Sequence, residues 1–154
     1  MANAETVEAV EVEVRIGASP ETVFDFFVDP KLMVQWMGRA VDVDPRPGGR
    51  FRSEIRDDTV ASGEYVAVEP PRRVVFTWGW EGGGPSVDPG ESTVEVLLDP
   101  DGDGTRVRLI HHDLPDAESA RKHGHGWRHY LDRLAKASVG EDPGADEFTP
   151  PPAG

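Results

Sequence analysis

Five histidines, His111, His112, His123, His125 and His129, fall in the last third of this 154-residue chain, three of them within one helical pattern. Imidazoles are the first place to look for acid–base or metal chemistry near neutral pH. His125 and His129 stand four apart and would share a helix face. No glutamate follows the first of them as in a zinc-protease motif, so no metal site is expected. His111 lies in a strand-like run whose parity turns it inward. There a neutral imidazole could serve as a general base or bind a polar ligand group; an ordinary, satisfied core histidine is the alternative. Glu54 and Glu64 also fall in strand-like runs, and alternation without a bulge puts Glu64 inside, where apolar surroundings would raise its pKa. Tyr130, in the last helical pattern, is the candidate polar partner to a base at His111 or Glu64. Nucleophilic catalysis has little support: there is no cysteine and no G-x-S-x-G elbow, and neither Ser53 nor Ser62 has an activating context. With no GxGxxG and no phosphate loop, no cofactor is expected.

The elements that must position these groups follow from periodicity and turn chemistry. Val10, Val12, Val14 and Ile16 alternate with Glu11, Glu13 and Arg15, the period of a half-buried strand over 7–16. Ser19-Pro20-Glu21 opens a helix that buries Phe24, Phe27 and Val28, and Asp29-Pro30 opens a second, short one through Leu32, Met33 and Trp36. From Ala40 the pattern predicts six strands, at 40–44, 50–56, 60–69, 73–80, 91–98 and 105–112, with turns at PGG 47–49 and DGDG 101–104. The glycine-rich stretch 81–91 reads as a loop. From Asp116 a helical period returns, with Ala120, Trp127, Leu131, Leu134 and Ala135 on one face. Residues 1–138 form one domain on this reading, and the acidic, Pro/Gly-rich tail 139–154 is expected to be disordered.

Strand parity sends Phe51, Ser53 and Ile55 inward, with Phe76, Trp78 and Trp80; Val94, Val96 and Leu98; and Val107, Leu109 and His111. The candidate ligand contacts drawn from this set and its surroundings are Trp36, Phe51, Phe76, Trp78, Trp80, His111, His123, Trp127 and Tyr130. For each aromatic, plain core packing is the alternative. Gly124 and Gly126 interrupt the helical pattern, either for close packing against the sheet or to leave room for a ligand.

Composition narrows the partners. A formal charge of −13 opposes nucleic acid and anionic membrane. No stretch approaches the roughly 20 apolar residues that span a bilayer, and the absence of cysteine suits a reducing compartment, so a cytoplasmic location is expected. The first strand offers an edge through which two copies could pair as a homodimer.

The order of patches SPETVFDFFVDP with the downstream Trp36, PGGRF, EYVAVEPPRRVVFTW, TRVRLIHHDL and the pair Gly126-Trp127 resembles the heat-shock-protein-90 ATPase activator homologues over about residues 7–137. The resemblance implies an α+β helix-grip fold of the START-like (SRPBCC) superfamily: a curved antiparallel sheet of about seven strands around a long C-terminal helix, with two short helices after strand one. It also implies a cavity between sheet and helix, in a superfamily whose members bind lipids, hormones and polyketides and sometimes catalyse cyclisation or dehydration. Three functions follow as expectations: binding of a small hydrophobic or aromatic molecule, a cyclase- or dehydratase-type enzyme in the same cavity, and a module that binds a chaperone and alters its ATPase.

Overall fold

The computed structural model describes residues 8–56, 59–81 and 87–146. Seven strands, β1 (Glu8–Ile16), β2 (Ala40–Val43), β3 (Arg50–Arg56), β4 (Thr59–Glu69), β5 (Arg73–Trp80), β6 (Ser92–Asp101) and β7 (Gly104–Leu114), form one antiparallel sheet in the order β1-β7-β6-β5-β4-β3-β2. Consecutive strands from β2 to β7 pair as hairpins, and β1 closes the far side against β7, which leaves β1 and β2 as the edges. Helices α1 (Pro20–Val28) and α2 (Pro30–Met33) follow β1, and α3 (Ala117–Ser138) ends the domain. This is the helix-grip architecture that the resemblance implied.

Each helix starts where a side chain accepts an orphan backbone N–H. Ser19 caps α1 through Thr22 N at 3.3 Å, Asp29 caps α2 through Lys31 N at 2.9 Å, and Asp116 caps α3 through Ser119 N at 2.8 Å. Reversal at PGG uses Gly48 at φ +84°, and the β6–β7 turn uses Gly102 at φ +64°.

One face of the sheet is buried. The inward rows are those that alternation predicts: Phe51, Ser53, Ile55, Phe76, Trp78, Val94, Val96, Leu98, Val107, Leu109 and His111 are all at most 6% exposed, while Trp80 is partly covered. On β4 the row is Ala61 and Tyr65. The expectation that Glu64 turns inward is corrected here, because Glu64 is exposed. Val66 is an extra residue between the pairs Tyr65↔Phe76 and Ala67↔Val75, a bulge that reverses the parity of everything before it. Counted back from the half-buried Val68, unbroken alternation would have put Glu64 inside.

The long helix lies along β1 and β7. Gly124 explains how it comes so close: a Cβ there would meet Val10 Cγ2 at 2.8 Å. Close packing, rather than room for a ligand, is therefore the role of this glycine. Since α3 keeps to the β1 side, the opposite flank of the buried face, at β3, is separated from the helix by a cleft.

Candidate functional site

Two features share the space between sheet and α3: a packed aromatic wall and an open cleft. The wall is built from β3, β5, β7 and α3. Trp78 has Trp127 at 5.0 Å, Trp80 at 5.3 Å and Phe51 at 6.0 Å between ring centroids, and Phe51 stacks on Phe76 at 4.3 Å. Around Trp127, the Trp78 ring lies 5.0 Å away and the His111 ring 6.1 Å away. Trp36, another expected ligand contact, is fully buried at the α1–α2 junction, where its indole donates to Phe26 O at 2.9 Å and it meets Phe27 edge-on.

The hydrogen bonds in the wall determine the states of its two histidines. An indole N–H can only donate, so Trp127 Nε1 at 3.0 Å makes His111 Nδ1 an acceptor. His111 Nε2 then carries the proton and donates to Ser92 Oγ at 2.8 Å, and Ser92 donates onward to Trp78 O at 2.7 Å. The same logic applies one turn earlier on α3. Trp80 Nε1 donates to His123 Nε2 at 3.2 Å, which leaves Nδ1–H to donate to Ser119 O at 2.8 Å. Both imidazoles are neutral and use both nitrogens. Burial pushes the His111 pKa well below its ordinary value, with His123 and His112 adding to the effect. Burial also lowers His123, partly offset by its bond to the Ser119 carbonyl. The rings of His111 and His123 lie 4.8 Å apart, so charging either one would place a cation against the other imidazole in a dry site.

His111 is thus fully buried with both ring nitrogens hydrogen-bonded within the protein. Among the described residues, Trp78 Nε1 is a buried indole N–H without a hydrogen-bond partner, whereas the indoles of Trp36, Trp80 and Trp127 all have one. No described group of three or more His, Asp or Glu side chains is arranged to hold a metal ion.

The cleft lies further along α3. Its volume is about 330 Å³, it opens to solvent, and it is lined by Val34 and Gly38 after α2, Arg39, Ile55 of β3, Arg133 of α3 and Asp146. None of the nine aromatic and imidazole side chains expected to contact a ligand lines it. Ile55 nonetheless continues the inward row Phe51–Ser53 of β3, so the cleft and the wall are two ends of one face. Gly38, at φ +86°, crosses directly over Ser53, whose hydroxyl donates to Met37 O at 3.4 Å; a Cβ at this glycine would collide with that hydroxyl.

Residues 144–146 border the cleft and are tied to α3. Arg133 donates through Nη1 to Gly144 O at 3.1 Å and Ala145 O at 3.2 Å, and through Nε to Trp36 O at 3.1 Å. Asp146 accepts from Tyr130 Oη at 2.6 Å and His129 Nε2 at 2.7 Å. The first part of the acidic segment thus has defined partners, while 147–154 lie outside the described residues. Tyr130 is brought to the border of the cleft with its hydroxyl engaged by Asp146. Neither Arg133 nor Asp146 carries a signal of this role in the sequence, where one reads as a solvated helix position and the other as part of an acidic tail.

A family of known proteins shares this arrangement of elements. Residues 17–138 match the family described as "Activator of Hsp90 ATPase homolog 1-like protein". The chain belongs to that family. Among solved structures it is similar to an AHSA1-like protein from Rhizobium etli, with 36% identity over 100% of this chain and 96% of that one and a TM-score of 0.74. It is also similar to CalU16 from Micromonospora echinospora, with 28% identity over 87% of this chain and 78% of the other and a TM-score of 0.70. DynU16, a protein of the dynemicin biosynthetic locus, matches at 25% identity and a TM-score of 0.76, covering 90% of this chain and 50% of its own. No curated protein matches the sequence.

Proposed function

We propose that this protein binds a small hydrophobic or aromatic molecule in the cleft between α3 and β3. The observation that carries the reading is the cleft itself: about 330 Å³, with Val34 and Ile55 offering apolar surface and Arg39, Arg133 and Asp146 supplying polar groups. Its lining mixes two apolar side chains with three charged ones, and its volume falls in the range of small-molecule sites. Val34 supports this further, as one of the few large apolar side chains left exposed among the described residues. The occurrence of DynU16 in a biosynthetic locus fits a family that handles small organic molecules.

The acid–base candidates do not support an enzyme reading equally well. His111 has both nitrogens engaged, Glu64 faces solvent and the Tyr130 hydroxyl is bonded to Asp146. Binding is the function proposed, with a cyclase- or dehydratase-type enzyme in the same space as the alternative. Family membership supports a second reading, a chaperone partner, for which the readout is the ATPase rate of a purified heat-shock-protein-90 chaperone at saturating concentrations of this protein.

Native mass spectrometry of the protein as purified tests the binding reading. An added mass that survives gentle ionisation and disappears on denaturation is the expected result. Bare protein both as purified and after incubation with 1-dodecanol would count against it.

A further inference from the structure

We infer that the cleft recognises a carboxylate-bearing apolar molecule, and that Asp146 occupies the carboxylate position in the absence of ligand. This rests on the small-molecule reading of the cleft and adds the polar group that the ligand must carry. The Asp146 carboxylate is a cleft-lining group, and its oxygens are held by two converging donors from adjacent positions of α3, Tyr130 Oη at 2.6 Å and His129 Nε2 at 2.7 Å. These are the short distances of charge-assisted bonds. Because a carboxylate only accepts, His129 Nε2 carries the proton in this contact. One turn further along α3, Arg133 holds the two carbonyls that precede Asp146, and Arg39 also lines the cleft. In a chain of net charge −13, a tyrosine hydroxyl and an imidazole N–H thus meet at one carboxylate beside a cleft lined by two arginines, Arg39 paired with Glu54 and Arg133 bonded to backbone carbonyls.

The donors belong to the folded domain, whereas the carboxylate arrives on a segment after the last element. The short link from Gly140 to Asp146 contains two glycines at positive φ, Gly140 and Gly144, and Arg133 bonds its last two carbonyls before Asp146. A ligand with a carboxylate and an apolar body satisfies Tyr130 and His129 as Asp146 does. It also covers Val34 and Ile55, which Asp146 cannot cover. Ligand and tail therefore compete for one site, and the tail sets the affinity threshold.

The test uses the full chain and two probes of equal length, dodecanoate and 1-dodecanol, titrated by calorimetry below their aggregation limits. Asp146→Ala removes the internal competitor. It should tighten dodecanoate binding by about tenfold or more and leave 1-dodecanol within about twofold, because only the acid gains the charge-assisted bonds. Adding Tyr130→Phe to Asp146→Ala should take back most of the gain for dodecanoate and none for the alcohol. Equal tightening of both probes, or no gain for dodecanoate while 1-dodecanol binds, would overturn the carboxylate assignment and leave the apolar cleft standing. Binding of neither probe to either chain would remove the small-molecule reading along with it.

Discussion

Lowering the pH should destabilise this protein before any carboxylate pair is lost, because two imidazoles are buried in the neutral form. In the unfolded chain each takes up a proton near pH 6.5. In the folded chain, His111 and His123 resist protonation to lower pH, through burial in both cases. Between those values the unfolded state binds more protons, so stability is fully present above about pH 6.5 and is lost as pH falls. Each histidine contributes a slope of up to about 1.4 kcal/mol per pH unit, so the pair approaches about 2.7 kcal/mol per unit. The carboxylates of Glu81 and Glu95, held low by Arg52 and Arg73, add their own loss only below the ordinary carboxylate range, beneath this window. Urea unfolding at pH 7.5, 6.5, 5.5 and 5.0 measures the slope. His123→Gln is the diagnostic variant, since an amide can accept from Trp80 and donate to Ser119 O without titrating; it should remove about half of the wild-type slope. A flat stability profile from pH 6.5 to 5.0, or an unchanged slope in His123→Gln, would refute the assignment of neutral, doubly bonded imidazoles.

Other substitutions separate the roles of neighbouring groups. Trp127→Phe strips the donor from His111 Nδ1 and leaves a buried acceptor unpaired, which should cost about 2–3 kcal/mol in urea unfolding. Trp78→Phe removes an indole N–H that has no partner among the described residues, so its cost should be about 1 kcal/mol smaller. Gly124→Leu forces a side chain into Val10 and should lower stability by about 1–3 kcal/mol despite leucine's better helix propensity, again read from urea midpoints. Glu64→Gln should leave both stability and 1-dodecanol affinity unchanged, within about 0.5 kcal/mol, because the side chain faces water.

Most of the fold was legible because its signals are local. Alternation in Phe51–Ser53–Ile55, Phe76–Trp78–Trp80 and Val107–Leu109–His111 needs only neighbouring residues, as do the Ser19, Asp29 and Asp116 caps. The misreading of Glu64 came from the bulge at Val66, where one inserted residue reverses the parity without any turn residue to mark it. The cleft was not legible. Its lining comes from the α2–β2 connection, β3, α3 and the tail, and no periodicity links residues that meet only in the tertiary fold. Asp146 was hidden by composition: an acidic, proline-rich segment reads as disordered until the donors on α3 that hold it are known. Alternation placed the strand aromatics on the covered face, but residue type alone could not show how they pack against one another.

Methyl-resolved NMR during a titration with 1-dodecanol tests the cleft most directly, because it locates the ligand as well as detecting it. The expected result is saturable shifts at the Ile55 and Val34 methyls, with Val66 and Val139, exposed outside the cleft lining, unmoved. Shifts of equal size at Val66 and Val139, or none at Ile55 up to the solubility limit of the probe, would contradict a binding site between α3 and β3.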